Sequence, residues 1–310
     1  MKFLKFVVCV LTIFTLLIFS YGYLNEHEVI LTLKNIYSKN PTVLENNIYM
    51  EPNKNVNVEF ATFTDNFIAN GKDDLINIYY TIIASGMDEF TFYCDNKYEE
   101  CISDVLSINN DNTLLSQMNN FVSVYNTFKS VKTTYTTKGK ITLYIDRIYN
   151  SNNIEIVNNI LDKLYNEISI KDGTIEDNIK AFHDYIINNT KYNLEDKNNN
   201  NFTPSSTAIG VFVNHLATCN GYTDAMSLLL DKMGVLNIRI SNNKHIWNLV
   251  YLNNEWLHLD LTWDDPVNDE DKDLLLYDYY LKNTSELNII ATDETKSEHL
   301  FDKNIYNFVN

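Results

Sequence analysis

The sequence predicts an α+β protein: a cysteine-bearing helix packed on an antiparallel sheet, preceded by a smaller α+β segment. Three observations carry this expectation. Residues 219–233 place Tyr222, Ala225, Met226, Leu229, Leu230 and Met233 at helical spacing, one apolar stripe. HIWNLVYL and EWLHLDLTW flank Asn253-Asn254, and Asn tolerates the left-handed backbone of a tight hairpin turn. KGKITLYIDRIY, residues 138–149, alternates apolar and polar side chains as a strand does.

Along the chain, residues 1–24 stand apart. Lys2 and Lys5 precede the apolar run FVVCVLTIFTLLIF, and Ser20-Tyr21-Gly22 offers a cleavage site. The run suits a signal peptide. Extended through Tyr21, Tyr23 and Leu24 it also reaches the length of a membrane anchor. Both readings export the rest of the chain, to the cell surface or the extracellular space. Residues 25–150 read as an N-terminal α+β domain of unknown role: irregular chain around Pro41 and Pro52, a helix opening 74–93 and a short strand closing it, helices over 101–108 and 113–128, then the strand 138–149. Residues 151–310 read as a second domain. Ser151 is a candidate cap for a helix with Ile154, Val157, Leu161, Leu164 and Ile168 on one face. Thr174 and Asp177 have capping-box spacing ahead of the next helix. Gly234 supplies the stop of the Cys219 helix.

Composition bounds the function. The chain has 310 residues, 45% of them hydrophobic, enough for a real core. A formal charge of −17 argues against nonspecific nucleic-acid binding and a polybasic membrane anchor. Membrane contact is expected only through residues 1–24. Among the cysteines outside the apolar run, Cys94 and Cys101 are close enough in sequence to form a small-loop disulfide, with two separate buried thiols as the alternative; pairing would leave Cys219 free. No zinc-ligand spacing or glycine-rich phosphate loop occurs, so no metal or cofactor is expected.

Thr218 is a candidate N-cap, which puts Cys219 in the first helical turn. Unpaired backbone N–H groups and the helix dipole there favour negative charge on sulfur. With Asn253-Asn254 as the hairpin loop, paired residues sum to 507, so His245 faces Thr262 and Trp247 faces Asp260. His245 and Asp260 then share a face as diagonal neighbours. A carboxylate orienting an imidazole that serves a nucleophile is triad logic. His258 and Asp264 are weaker alternatives, His215 lies in a loop, His299 lies far downstream, and His183 reads as structural. Gly221, Tyr222 and Trp247 are candidates for the substrate groove.

The pieces IKAFHDYIINNTKYN, SSTAIGVFVNHLATCNGYTDAMSLLLDKMG and HIWNLVYLNNEWLHLDLTWDDP, in that order, resemble the transglutaminase-like domain family of the papain-like cysteine-enzyme superfamily. The resemblance covers about residues 175–266. It implies Cys219 as nucleophile, His245 as general base and acid, and Asp260 as the orienting carboxylate. It also implies acyl transfer or hydrolysis of protein or peptide amides, cell-wall peptides included, through a thioester. The backbone N–H of Cys219 would serve an oxyanion hole. An inactive binding module with the same fold is the rival expectation.

Overall fold

The computed structural model describes residues 61–196, 202–267, 274–290 and 297–309. The expected signal or anchor segment and residues 25–60 lie outside them. Among the described residues, no helix is long and apolar enough to cross a membrane.

The fold is α+β. A four-stranded sheet is built from β1 (Ile68–Ala69), β2 (Glu89–Cys94), β3 (Phe128–Tyr135) and β4 (Lys140–Arg147), in the order β1-β2-β4-β3. Helices α1 (Lys72–Ala84), α2 (Cys101–Asn110) and α3 (Asn112–Asn120) accompany it. Helices α4 (Ser151–Ile168) and α5 (Ile175–Asn189) follow, then the short parallel pair β5 (Lys191–Tyr192) and β6 (Leu216–Ala217). Next come the cysteine helix α6 (Cys219–Lys232) and the antiparallel sheet β7 (Asn237–Ser241), β8 (Ile246–Leu252) and β9 (Glu255–Leu259). Short helices α7 (Leu261–Asp264) and α8 (Thr284–Ile290) close the sequence of elements.

The β7-β8-β9 sheet is apolar on both faces, and this joins the molecule. Ile238, Ile240, Trp247 and Leu249 belong to a core with Leu75, Ile78, Phe92 and Leu143 of the first half. Val250, Leu252 and Leu259 belong to a second core with Val157, Phe182, Met226 and Leu229. Such two-sided burial is why HIWNLVYL lacks clean alternation. Among the described residues this core runs across the boundary expected at residue 150, since the sheet that follows it packs with the residues before it. Buried polar groups reinforce the join. Arg239 on β7 donates to Asp224 Oδ1 of α6 at 2.9 Å, Thr127 Oγ1 at 2.8 Å and the carbonyls of Val122 and Asn119.

Local sequence accounts for the elements around the site. Helix α6 ends in a Schellman motif: Val235 N–H bonds Leu230 O, Gly234 N–H bonds Asp231 O, and Gly234 has φ +72°. Asn253 and Asn254 have φ of 51° and 66°, a type I′ turn, and the pairs run from Leu252–Glu255 to Asn248–Leu259. Thr174 and Asp177 form the reciprocal capping box. Two details differ from expectation. Asn150 rather than Ser151 caps α4, accepting from Asn153 N–H at 2.9 Å. The helix expected over 113–128 stops at Asn120, because the Asn119 amide pairs with the backbone of Phe128 and draws the chain into β3. β3 was not legible as a strand. It is an edge strand with mostly exposed side chains, Lys129 and Lys132 among them.

Cys94 and Cys101 are joined in a disulfide, and Cys219 is a free thiol.

Candidate active site

Cys219 is the first residue of α6 and is half-buried at the wall of an open cleft of about 640 Å³. The N-cap position is held by Thr218 with extended backbone; its N–H bonds Ser205 O at 2.8 Å. His245 lines the same cleft. It lies one residue before β8, in a loop organised by Asn242, whose Oδ1 accepts the N–H groups of Lys244 (2.8 Å) and His245 (3.0 Å). The ring stacks on Trp247, centroids 5.6 Å apart.

Asp260 follows β9 directly and N-caps α7. Its Oδ1 accepts from the N–H groups of Thr262 (3.0 Å) and Trp263 (3.3 Å). Its Oδ2 lies 2.6 Å from His245 Nε2. The carboxylate is therefore an acceptor that selects the Nε2–H tautomer of His245, leaving Nδ1 available as base. Burial of the imidazole opposes its protonation, but the charge and hydrogen bond of Asp260, helped by Cys219, push its pKa up from 6.5 to about 10. Burial likewise opposes ionisation of Asp260, yet the two histidines that contact it hold it well below the usual carboxylate range. The arrangement is a buried carboxylate–imidazole pair beside a free thiol, the parts needed for a thiolate nucleophile and a proton donor.

The alternative residues are committed elsewhere. His258 accepts from Trp247 Nε1 at 2.9 Å and meets Thr284 Oγ1 at 3.1 Å. Burial, with the charge of His299, lowers its pKa to about 3, so it stays neutral. Asp264 binds His183 Nε2 (3.2 Å) and the Tyr279 N–H (2.8 Å). His215 is exposed, with φ 55°, and bonds Asn189 O.

The groove residues expected from sequence need correction. Trp247 is fully buried in the first core and backs the His245 ring from below. Tyr222 is buried, its hydroxyl donating to Asp265. Gly221 is also buried; a Cβ there would lie 2.5 Å from Ser205 O and 2.9 Å from Thr207 O. Its function is close approach of the neighbouring chain rather than of substrate. Gly221→Ala is therefore expected to cost about 1–3 kcal/mol, read as a lower denaturant midpoint. The cleft is lined instead by Tyr192, Asn220, Lys244, Trp263 and Glu298, among others.

Sequence reasoning missed His299, whose Nε2 lies 2.7 Å from Asp260 Oδ2. Thirty-nine residues separate the two, and no periodicity links them. His245, Asp260 and His299 are also the one grouping among the described residues whose ligand atoms could hold a metal ion. Both histidine nitrogens, however, are already engaged with the same carboxylate oxygen.

No protein-family model matches the chain. No curated protein matches it either. Among solved structures it is similar to one described as the crystal structure of a TGase, with 16% identity and TM-score 0.34, over 47% of this chain and 47% of that one. It is also similar to a putative cysteine protease from Cytophaga hutchinsonii, with 11% identity and TM-score 0.27, over 43% of this chain and 61% of that one. The chain thus spans less than two thirds of either protein.

Proposed function

We propose that this protein is an exported or membrane-tethered, transglutaminase-like cysteine enzyme that transfers or hydrolyses the acyl groups of protein or peptide amides. The observation that carries this reading is the His245 imidazole, bonded to buried Asp260 and opening with free Cys219 onto one cleft. The Cys219 thiolate attacks the amide carbonyl and forms a C–S bond. His245 gives its proton to the nitrogen as the C–N bond breaks, leaving a thioester and a free amine or ammonia. The Cys219 backbone N–H, at a helix start and bonded to the Tyr192 hydroxyl here, is the candidate donor to the developing oxyanion. An amine or water then attacks the thioester, His245 takes its proton, and the thiolate returns. The Cys94–Cys101 disulfide supports the export reading, since such bonds persist in oxidising compartments.

The test is mass spectrometry of the full chain incubated with a glutaminyl peptide and a labelled primary amine, quenched in acid. Wild type is expected to carry the acyl group on the Cys219 peptide, and Cys219→Ala to carry none. Amine-labelled product marks transfer; the deamidated peptide marks hydrolysis. Cleaved cell-wall peptide, with no glutaminyl product, would assign a wall hydrolase. No adduct on wild type with any of these amides would favour a non-catalytic binding module.

A further inference from the structure

One oxygen of Asp260 receives two imidazoles. His245 Nε2 lies 2.6 Å and His299 Nε2 2.7 Å from Oδ2, while Oδ1 takes the two backbone N–H groups of α7. The His299 ring is 5% exposed and held by aromatic neighbours. It stacks on Tyr279 at 5.0 Å and meets the edges of Trp247 (5.0 Å) and His245 (5.4 Å). Asn242 couples the two histidine segments. Its Nδ2 donates to the carbonyls of Glu298 and Leu300, either side of His299, while its Oδ1 accepts from Lys244 and His245. A single amide thus fixes the loop that carries one imidazole against the segment that carries the other.

We infer that His299 is a positioning residue of the acyl-transfer site, a second imidazole donor that holds Asp260 in the orientation and ionised form that His245 requires. The inference rests on reading Cys219, His245 and Asp260 as catalytic. Its physical basis is the cost of burying a carboxylate. Asp260 is 1% exposed, and burial alone favours its neutral form. A neutral Asp260 neither fixes the His245 tautomer nor stabilises the imidazolium. Four donors on two oxygens reverse that preference, and the hydrogen bond and charge of His299 each act in the same direction as those of His245. The other ionisable groups near the carboxylate are His258, Asp264 and Tyr192. His258 is neutral, and none of the three has a hydrogen bond to Asp260 among those described; His299 alone shares the oxygen that His245 uses.

Two variants separate donation from packing. His299→Phe keeps a ring to stack on Tyr279 but has no N–H. His299→Gln restores a non-titrating N–H donor. The readout is the rate of iodoacetamide alkylation of Cys219 in the full chain, followed by mass across pH ~5 to ~9. His299→Phe is expected to slow alkylation at neutral pH by roughly tenfold or more, the scale of one lost hydrogen bond to a charged group. Its acid limb should move to higher pH, because Asp260 takes up a proton more readily. His299→Gln should recover most of the rate and return the limb towards wild type. A Phe variant with the wild-type rate and profile overturns the inference, as does a Gln variant as slow as Phe. If the Phe chain does not fold, His299→Leu replaces it with the same two criteria. Failure of the underlying reading looks different: wild-type Cys219 would then react no faster than in His245→Ala, and the role of His299 would fall with it.

Discussion

Replacing Asp260 by Asn is expected to lower turnover about 10³–10⁴-fold, the scale of the same change in Ser–His–Asp triads. The reason lies in the donor count. Two oxygens accept four hydrogen-bond donors: His245, His299 and the N–H groups of Thr262 and Trp263. An asparagine presents one oxygen and one NH₂, so a donor must face donors in a buried site. If the NH₂ turns to the imidazoles, it drives His245 into the Nδ1–H tautomer, which cannot take a proton from Cys219. If it turns to α7, the helix loses its cap. Either way the negative charge that raises the His245 pKa towards 10 is gone. Initial rates with saturating peptide and amine measure the loss. A denaturant titration in which the variant is still on its folded baseline under assay conditions separates this loss from unfolding.

Arg239→Ala is expected to be the most destabilising single change outside the site, costing about 3–5 kcal/mol in urea unfolding. Arg239 is 3% exposed and is the buried cation paired with Asp224. Without it Asp224 keeps the Tyr149 hydroxyl, at 2.8 Å, as its side-chain partner among the described residues. Burial already raises the Asp224 pKa, with Arg239 opposing that rise. Removing the arginine raises it further, so the folded variant holds a proton that the unfolded chain releases. Its stability should therefore fall as pH rises above the ordinary carboxylate range, and part of the deficit should be recovered in acid. The same change would loosen the join between the halves, since Arg239 also binds Thr127 and the carbonyls of Asn119 and Val122.

The parts of this structure legible in the sequence are those fixed by local chemistry. The Cys219 helix was marked by its stripe and by Gly234. The hairpin is marked by Asn253-Asn254, and a two-residue loop gives its register from Leu252–Glu255 to Asn248–Leu259. The ladder ends there, so the expected pairs Trp247–Asp260 and His245–Thr262 do not form, because Asp260 caps a helix that takes in Thr262. What could not be read was long-range. His299 reaches Asp260 only because Asn242 ties residues 298–300 to the loop before β8. The shared sheet could not be seen either, because a strand buried on both faces has no period to announce what lies on each side. Trp247 illustrates the cost: the sequence suggests the groove for it, whereas its face of the sheet is covered by the first core.

The central claim is that the Asp260-held imidazole of His245 keeps Cys219 reactive. The most direct measurement is the rate of Cys219 alkylation by iodoacetamide against pH, in wild type and in His245→Ala. At neutral pH the wild-type rate should exceed the variant's by about tenfold or more, because the imidazolium stabilises the attacking thiolate. His245 has its pKa raised, so the protonated form persists from below 6.5 through neutrality and is lost as pH rises through about 10. The wild-type advantage should disappear over that upper range. Equal rates in the two proteins at neutral pH would contradict the account.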